Sequence, residues 1–159
     1  MPECPGHAAA RRKPRILFVC YGNSCRSQIA ETFARRYGMG FLTAISAGIA
    51  PSLRVSNRAR ETMNERGIPL SPLALPKPLL LFDLSSFDLI VNMTEFSLPA
   101  ASSPILKMHM PDMRVVGDDV LREIRDEIER QVIDIVDTFR PKPTFRAILL
   151  ATDPTRAAA

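Results

Sequence analysis

The chain has 159 residues, 46% hydrophobic and 24% charged, with a net charge of +4 and three cysteines. This is enough chain for one domain with its own core. No apolar run approaches bilayer-spanning length, and an odd, sparse cysteine set argues against a disulfide framework. The first residues, MPECPGHAAARRKPR, place basic residues after small ones and lack a secretory h-region, so the expected location is cytoplasmic, away from membranes. The positive excess lies in residues 1–14 and 140–159, leaving the middle close to neutral. That pattern argues against a nucleic-acid-binding face.

Residues 1–14, small, basic and proline-punctuated, read as a disordered tail before a domain over 15–139. RILFVC at 15–20 is a short β-rich apolar run between Pro14 and Gly22, a buried strand. From Ser24 the period changes: Ile29, Phe33 and Tyr37 recur every fourth residue before Gly38, a helix with a glycine stop. Residues 42–47 form a second strand closed by Gly48, and Ser56 can cap a helix through Arg66 that Gly67 ends. Four prolines make 68–78 an irregular loop, with a short helix near 79–84. DLIVNM at 88–93 is a third strand and 106–110 a weaker fourth. Asp118 or Asp119 can cap a long helix whose stripe is Leu121, Ile124, Ile128, Val132, Ile135 or Val136, and Phe139. Residues 140–159 form an extension whose TFRAILLATD run is apolar enough to pack as an extra element or meet a partner. The alternation implies an α/β fold: a doubly wound, four-stranded parallel sheet with helices on both faces and a phosphate-binding loop after the first strand. Ligands bind such sheets beyond the carboxyl ends of strands, where Cys20 falls.

The chemistry concentrates in Cys20-Tyr-Gly-Asn-Ser-Cys-Arg26-Ser27. A tetrahedral oxyanion needs inward donors, a fixed cation and a nucleophile on its axis. Gly22 and Asn23 tolerate positive φ and can turn backbone N–H groups toward one centre. The helix N-terminus adds unpaired N–H groups, and Arg26 offers a planar fork for two oxygens. The same field favours the thiolate of Cys20, to which Ser27 can donate. Tyr21 can supply an aromatic wall. The Gly-x4-Gly-Lys nucleotide loop is absent. Cys25 is either a small helix residue or a disulfide partner of Cys20 under oxidation. A zinc site built from Cys4, His7, Cys20 and Cys25 is disfavoured, because the Cys-x4-Cys pair lacks a second ordered ligand pair. His109 reads as a strand-end residue. No metal or cofactor is expected.

The run VCYGNSCRSQIAE resembles the signature of the low-molecular-weight protein tyrosine phosphatases and their sister branch, the thioredoxin-coupled arsenate reductases. The resemblance continues through Ser46-Ala47-Gly48, DLIVNM, Pro111-Asp112 and RDEIERQV, over about residues 15–139. It implies a phosphocysteine on Cys20, with Arg26 and the loop amides on the equatorial oxygens. Asn23, Ser27 and Ser46 would support the loop, which includes Ser24 and Cys25. Asp112 would be the general acid. Asp118 and Asp119 compete for that role, though helix capping accounts for them better.

Two departures bear on function. The phosphatases follow their Asp-Pro with cleft-lining aromatics, whereas Asp112 is followed by Met113, Arg114 and Val115. The reductases favour the Ser24 and Gln28 types found here, yet relay a disulfide through two downstream cysteines. This chain has none after Cys25, and the expected region reads NMTEFSLP. The leading expectation is a phosphatase acting on a phosphorylated protein or small phosphomonoester. The alternatives are an arsenate reductase drawing on an external thiol reductant, and a non-catalytic phosphate-binding module.

Overall fold

In the computed structural model, which describes residues 12–143, strand β1 (Arg15–Cys20) occupies the middle of a four-stranded parallel sheet. The others are β2 (Thr43–Gly48), β3 (Leu89–Asn92) and β4 (Ile105–Lys107), in the order β2-β1-β3-β4. The helices are α1 (Arg26–Tyr37), α2 (Asn57–Glu65) and α3 (Asp118–Thr138). Because β1 pairs with β2 on one side and β3 on the other, the chain reverses its winding direction at β1. That switch point opens a crevice at the β1 carboxyl end, and Cys20 stands at its edge.

The pleat of β1 sends alternate residues to two cores. Ile16, Phe18 and Cys20 join Ile29 and Phe33 of α1, Met63 of α2 and Ile128 and Val132 of α3. Leu17 and Val19 join Ala47, Ile90, Leu79 and Phe87. The sheet is thus covered on both faces, by three α-helices on one and by short 3-10 turns at Leu79–Leu81 and Leu84–Ser86 on the other. Both β1 rows are fully buried at Ile16, Leu17, Phe18 and Val19, each burial worth about 1.5–3 kcal/mol. The rigid platform under the loop therefore comes from β1 itself.

Several boundaries differ from the sequence reading. Arg12 bonds Asp88 at 2.8 and 3.1 Å, and the carbonyl of Pro14 accepts from Thr43 at 2.8 Å. Arg12 and Pro14, at the end of the segment read as a tail, thus contact the sheet; residues 1–11 and 144–159, with Cys4, His7 and the TFRAILLATD run, lie outside the described residues. The fourth strand starts at Ile105 and is exposed throughout, an edge without the burial pattern that marks the others. Ser56 caps α2 as expected, accepting from Ala59 N–H, and Gly67 follows it at φ 76°. Gly117, not Asp118 or Asp119, is the N-cap of α3. Asp118 instead pairs with Arg58 at 2.8 Å and Asp119 with Arg122 at 2.8 Å. Both carboxylates sit inside the first turn and face arginines, and no side chain caps α3. The stripe on α3 is buried as read, from Leu121 to Val136.

Candidate active site

Between β1 and α1 the chain makes the loop that the sequence marks. Asn23 sits at φ 47°, the one non-glycine in the left-handed region among the described residues, a conformation asparagine tolerates. The N–H groups of Ile49, Ala50, Ser52 and Ser56 donate to the carbonyls of Cys20, Tyr21, Gly22 and Ser24 at 2.9–3.2 Å. This strap ties the loop carbonyls outward and leaves its concave side to N–H groups. The strap approaches closely because Gly48 has no side chain. A Cβ there would lie 2.9 Å from the Tyr21 carbonyl and the Asn23 nitrogen. Helix α1 opens with no side-chain cap, so its first N–H groups face the same concavity.

A buried polar network surrounds Cys20. The fully buried Asn23 amide donates to Ser27 Oγ at 2.8 Å and to Ser46 Oγ at 2.9 Å. Its carbonyl oxygen accepts from Lys77 N–H at 2.7 Å and Gln28 Nε2 at 3.3 Å. Ser46 in turn donates to Glu31. Ser27 Oγ, which accepts from Asn23, lies within hydrogen-bond distance of Cys20 Sγ at 2.9 Å. Asn23 N–H donates to that sulfur at 3.2 Å. Two hydrogen-bond contacts from the loop thus fix the position of that sulfur. Glu31 stays charge-balanced by Arg35 at 2.8 Å and Lys77 at 3.7 Å.

The loop closes over a cavity of about 100 Å³ lined by Cys20, Gly22, Ser24, Arg26, Asp112 and Arg114. Nη1 of Arg26 donates to the carbonyls of Met93 and Met110 at 3.2 and 3.4 Å, anchoring the guanidinium between β3 and the Asp112 loop. A neighbouring cleft of about 380 Å³ shares Tyr21, Arg26, Asp112 and Arg114 and adds Thr94, Glu95, Phe96 and Met110. The rings of Tyr21 and Phe96 stand 5.9 Å apart and wall one side of it. The aromatic surface that the sequence around Asp112 lacks thus comes from a different loop. Phe96 is set there by Asn92, which donates to its carbonyl at 2.8 Å and accepts from Thr94 N–H and Oγ1 at 2.9 and 2.8 Å.

Asp112 faces both cavities but is engaged. Arg114 approaches its carboxylate at 2.6, 3.0 and 3.1 Å, and the Arg114 N–H donates to it at 2.9 Å. The guanidinium and this N–H pull the Asp112 carboxyl down to about 2. Cys25 goes the other way. Burial first, then the neighbouring Cys20, push its thiol up to about 12, and it lies 3.5 Å from Met113 Sδ. Both Cys20 and Cys25 are unoxidised thiols here.

Cys20, Tyr21, Gly22, Asn23, Ser24, Cys25, Arg26, Ser27, Ser46 and Asp112 therefore converge on one region. The sequence reading gave no site role to Gln28, Glu31, Lys77, Phe96 or Arg114. Gln28 and Glu31 carried a signal, polar side chains on the inward face of α1; Lys77 and Phe96 carried none, because only the fold brings them in. Among the described residues no three His, Cys, Asp or Glu side chains form a metal-holding cluster, and no helix is long and apolar enough to cross a membrane.

Comparison with known proteins extends this picture. The family model for low molecular weight phosphotyrosine protein phosphatase matches residues 15–143. The glutaredoxin arsenate reductase of Synechocystis sp. is 28% identical over 127 residues, spanning 77% of this chain and 95% of that protein. An arsenate reductase of Halalkalibacterium halodurans is 31% identical over 140 residues, 79% of this chain and 97% of that one. A solved arsenate reductase in a phosphate-binding state superposes with a TM-score of 0.73 at 26% identity, over 80% of this chain and 99% of that chain. The tyrosine phosphatase Wzb of Escherichia coli K30 shares the fold, with a TM-score of 0.70 at 20% identity, over 81% of this chain and all of that chain.

Proposed function

Because the chain belongs to the low molecular weight phosphotyrosine protein phosphatase family, we propose that it is a cysteine-dependent phosphatase hydrolysing phosphotyrosine or another phosphomonoester. The observation that carries this reading is the complete hydrolytic set around one cavity without, among the described residues, a second thiol fit to relay a disulfide. Cys20, Arg26 and Asp112 line it, while Cys25 is held as a thiol against Met113 and no cysteine follows position 25.

In this reading hydrolysis runs through a phosphocysteine in two steps. Cys20 thiolate attacks phosphorus in line and the bond to the leaving oxygen breaks. Arg26 and the loop N–H groups hold the equatorial oxygens. Asp112 gives a proton to the leaving oxygen. Water then attacks the phosphocysteine, its proton passes to Asp112, and phosphate departs with the thiolate restored. Tyr21 and Phe96 support an aryl leaving group in the adjoining cleft. Hydrolysis of p-nitrophenyl phosphate tests the reading. Turnover is expected from the wild type and none from Cys20→Ser; full activity in that variant sinks the reading.

A second reading is arsenate reduction with an external thiol, favoured by the names of the relatives. It requires that a low-molecular-weight thiol or a redoxin resolve the oxidised Cys20. Arsenate-dependent consumption of glutathione or thioredoxin, each supplied alone, supports it; no turnover with either reductant removes it.

A further inference from the structure

Arg114 does something the family signature does not describe. It follows Asp112 by two residues, lines both the small cavity and the cleft, and grips the carboxylate of the general-acid candidate. A carboxylate gripped in that way cannot protonate a leaving oxygen. Yet the grip is light: the Arg114 side chain is 72% exposed and the Asp112 side chain 37%, so water screens the pair.

Consider the charges once an oxyanion dianion enters. The cavity then holds the dianion beside Cys20 and the Asp112 carboxylate. Arg26 is anchored to the Met93 and Met110 carbonyls, so it supplies one charge from a fixed place. The other charged or titratable groups around Asp112 are Tyr21 and Cys25 of the loop, Glu95 across the cleft, and Arg58 from α2, which bonds the Met113 carbonyl. Arg58 is committed to Asp118 and the Val116 carbonyl. Arg114 is thus the cation able to turn from the carboxylate to the ligand, and its fork suits two oxygens of a tetrahedral anion.

We propose that Arg114 is an anion-responsive positioning residue: it pairs with Asp112 in the empty site and passes to the bound oxyanion, so that Asp112 gains its proton only when the site is filled. The proton comes from solvent as the anion binds and Arg114 leaves. In turnover that proton goes to the leaving oxygen, and the attacking water returns one to Asp112, so the cycle balances. The ligand class is a tetrahedral dianion, and the inference deepens the phosphatase reading by giving its acid a trigger.

Inorganic sulfate is the probe, because it stays a dianion at pH 5. Calorimetric titration in two buffers of different ionisation enthalpy gives the affinity and the protons taken up. The wild type is expected to take up about half a proton or more per sulfate, and Asp112→Asn none. Arg114→Gln is expected to bind sulfate about tenfold more weakly, with Arg114→Lys in between. No proton uptake by the wild type, uptake undiminished in Asp112→Asn, or unchanged affinity in Arg114→Gln overturns the proposal. Hydrolysis of p-nitrophenyl phosphate, run beside it, separates the two readings. Linked sulfate binding without turnover contradicts the phosphatase and leaves Arg114 its role; turnover with Arg114-independent sulfate binding does the reverse.

Discussion

The two halves of the cavity are built by opposite means. Cys20 is 3% exposed and is held by a network in which Asn23, Ser27 and Ser46 are all fully buried. Asp112 lies on a loop with its partner Arg114 largely in water. Buried hydrogen bonds are costly to leave unmade, so the nucleophile's geometry is fixed before any ligand arrives. A screened ion pair rearranges at little cost, so the acid's geometry is free to answer the ligand. The contrast teaches that fixed and adaptable parts of one site are distinguishable by burial alone.

The largest expected effect is on the fixed half. Cys20→Ser leaves no measurable hydrolysis in a p-nitrophenyl phosphate assay. Asn23→Ala comes next. It removes the donor to Ser27 and Ser46 and the acceptor of the Lys77 N–H, and forces alanine to φ 47°. We expect a loss of about 2–4 kcal/mol in denaturant unfolding and at least about a hundredfold in kcat. If Asn23→Ala is both stable and active, the network is not what orients the thiolate.

On the adaptable half, Asp112→Asn is expected to lower kcat by about a hundredfold or more while the melting temperature stays close to the wild type. Phe96→Ala, which opens the aromatic wall of the cleft, is expected to raise KM for an aryl phosphate several-fold with little change in kcat. An equal rise for an alkyl phosphate contradicts ring recognition.

The smallest effect concerns pH and stability. The Asp112 carboxyl is depressed in the folded state, so its contribution is present above its ordinary range near 3.8 and is lost as pH falls through about 2. Arg114→Gln should therefore melt slightly below the wild type above pH 4, and the two should converge toward pH 2. A difference that grows on acidification has the wrong sign for this pair.

The same division explains what the sequence revealed. The strand RILFVC, its glycine-asparagine turn and the amphipathic start of α1 are local signals, and each names its residues directly. The supports of the turn are not local. Lys77 reaches Asn23 across 54 positions, and Phe96 meets Tyr21 from the loop after β3. No spacing encodes either contact. The fourth strand is legible in the sequence but its bounds are not, because an exposed edge of three residues carries no burial pattern. Asp118 and Asp119 were read as caps because capping is local, whereas Arg58 competes for Asp118 from 60 residues away. The Asp112–Arg114 pair was within reach of the sequence, two residues apart, but its meaning depends on the cavity that both side chains line.

In the proposed mechanism Cys20 becomes covalently phosphorylated during turnover. The direct measurement is acid quenching of the Asp112→Asn variant during p-nitrophenyl phosphate hydrolysis, followed by mass spectrometry of the peptide that carries Cys20. One phosphoryl group is expected on that cysteine, absent from Cys20→Ser. Phosphate release with an unmodified Cys20, or a phosphoryl group on another residue, would contradict it.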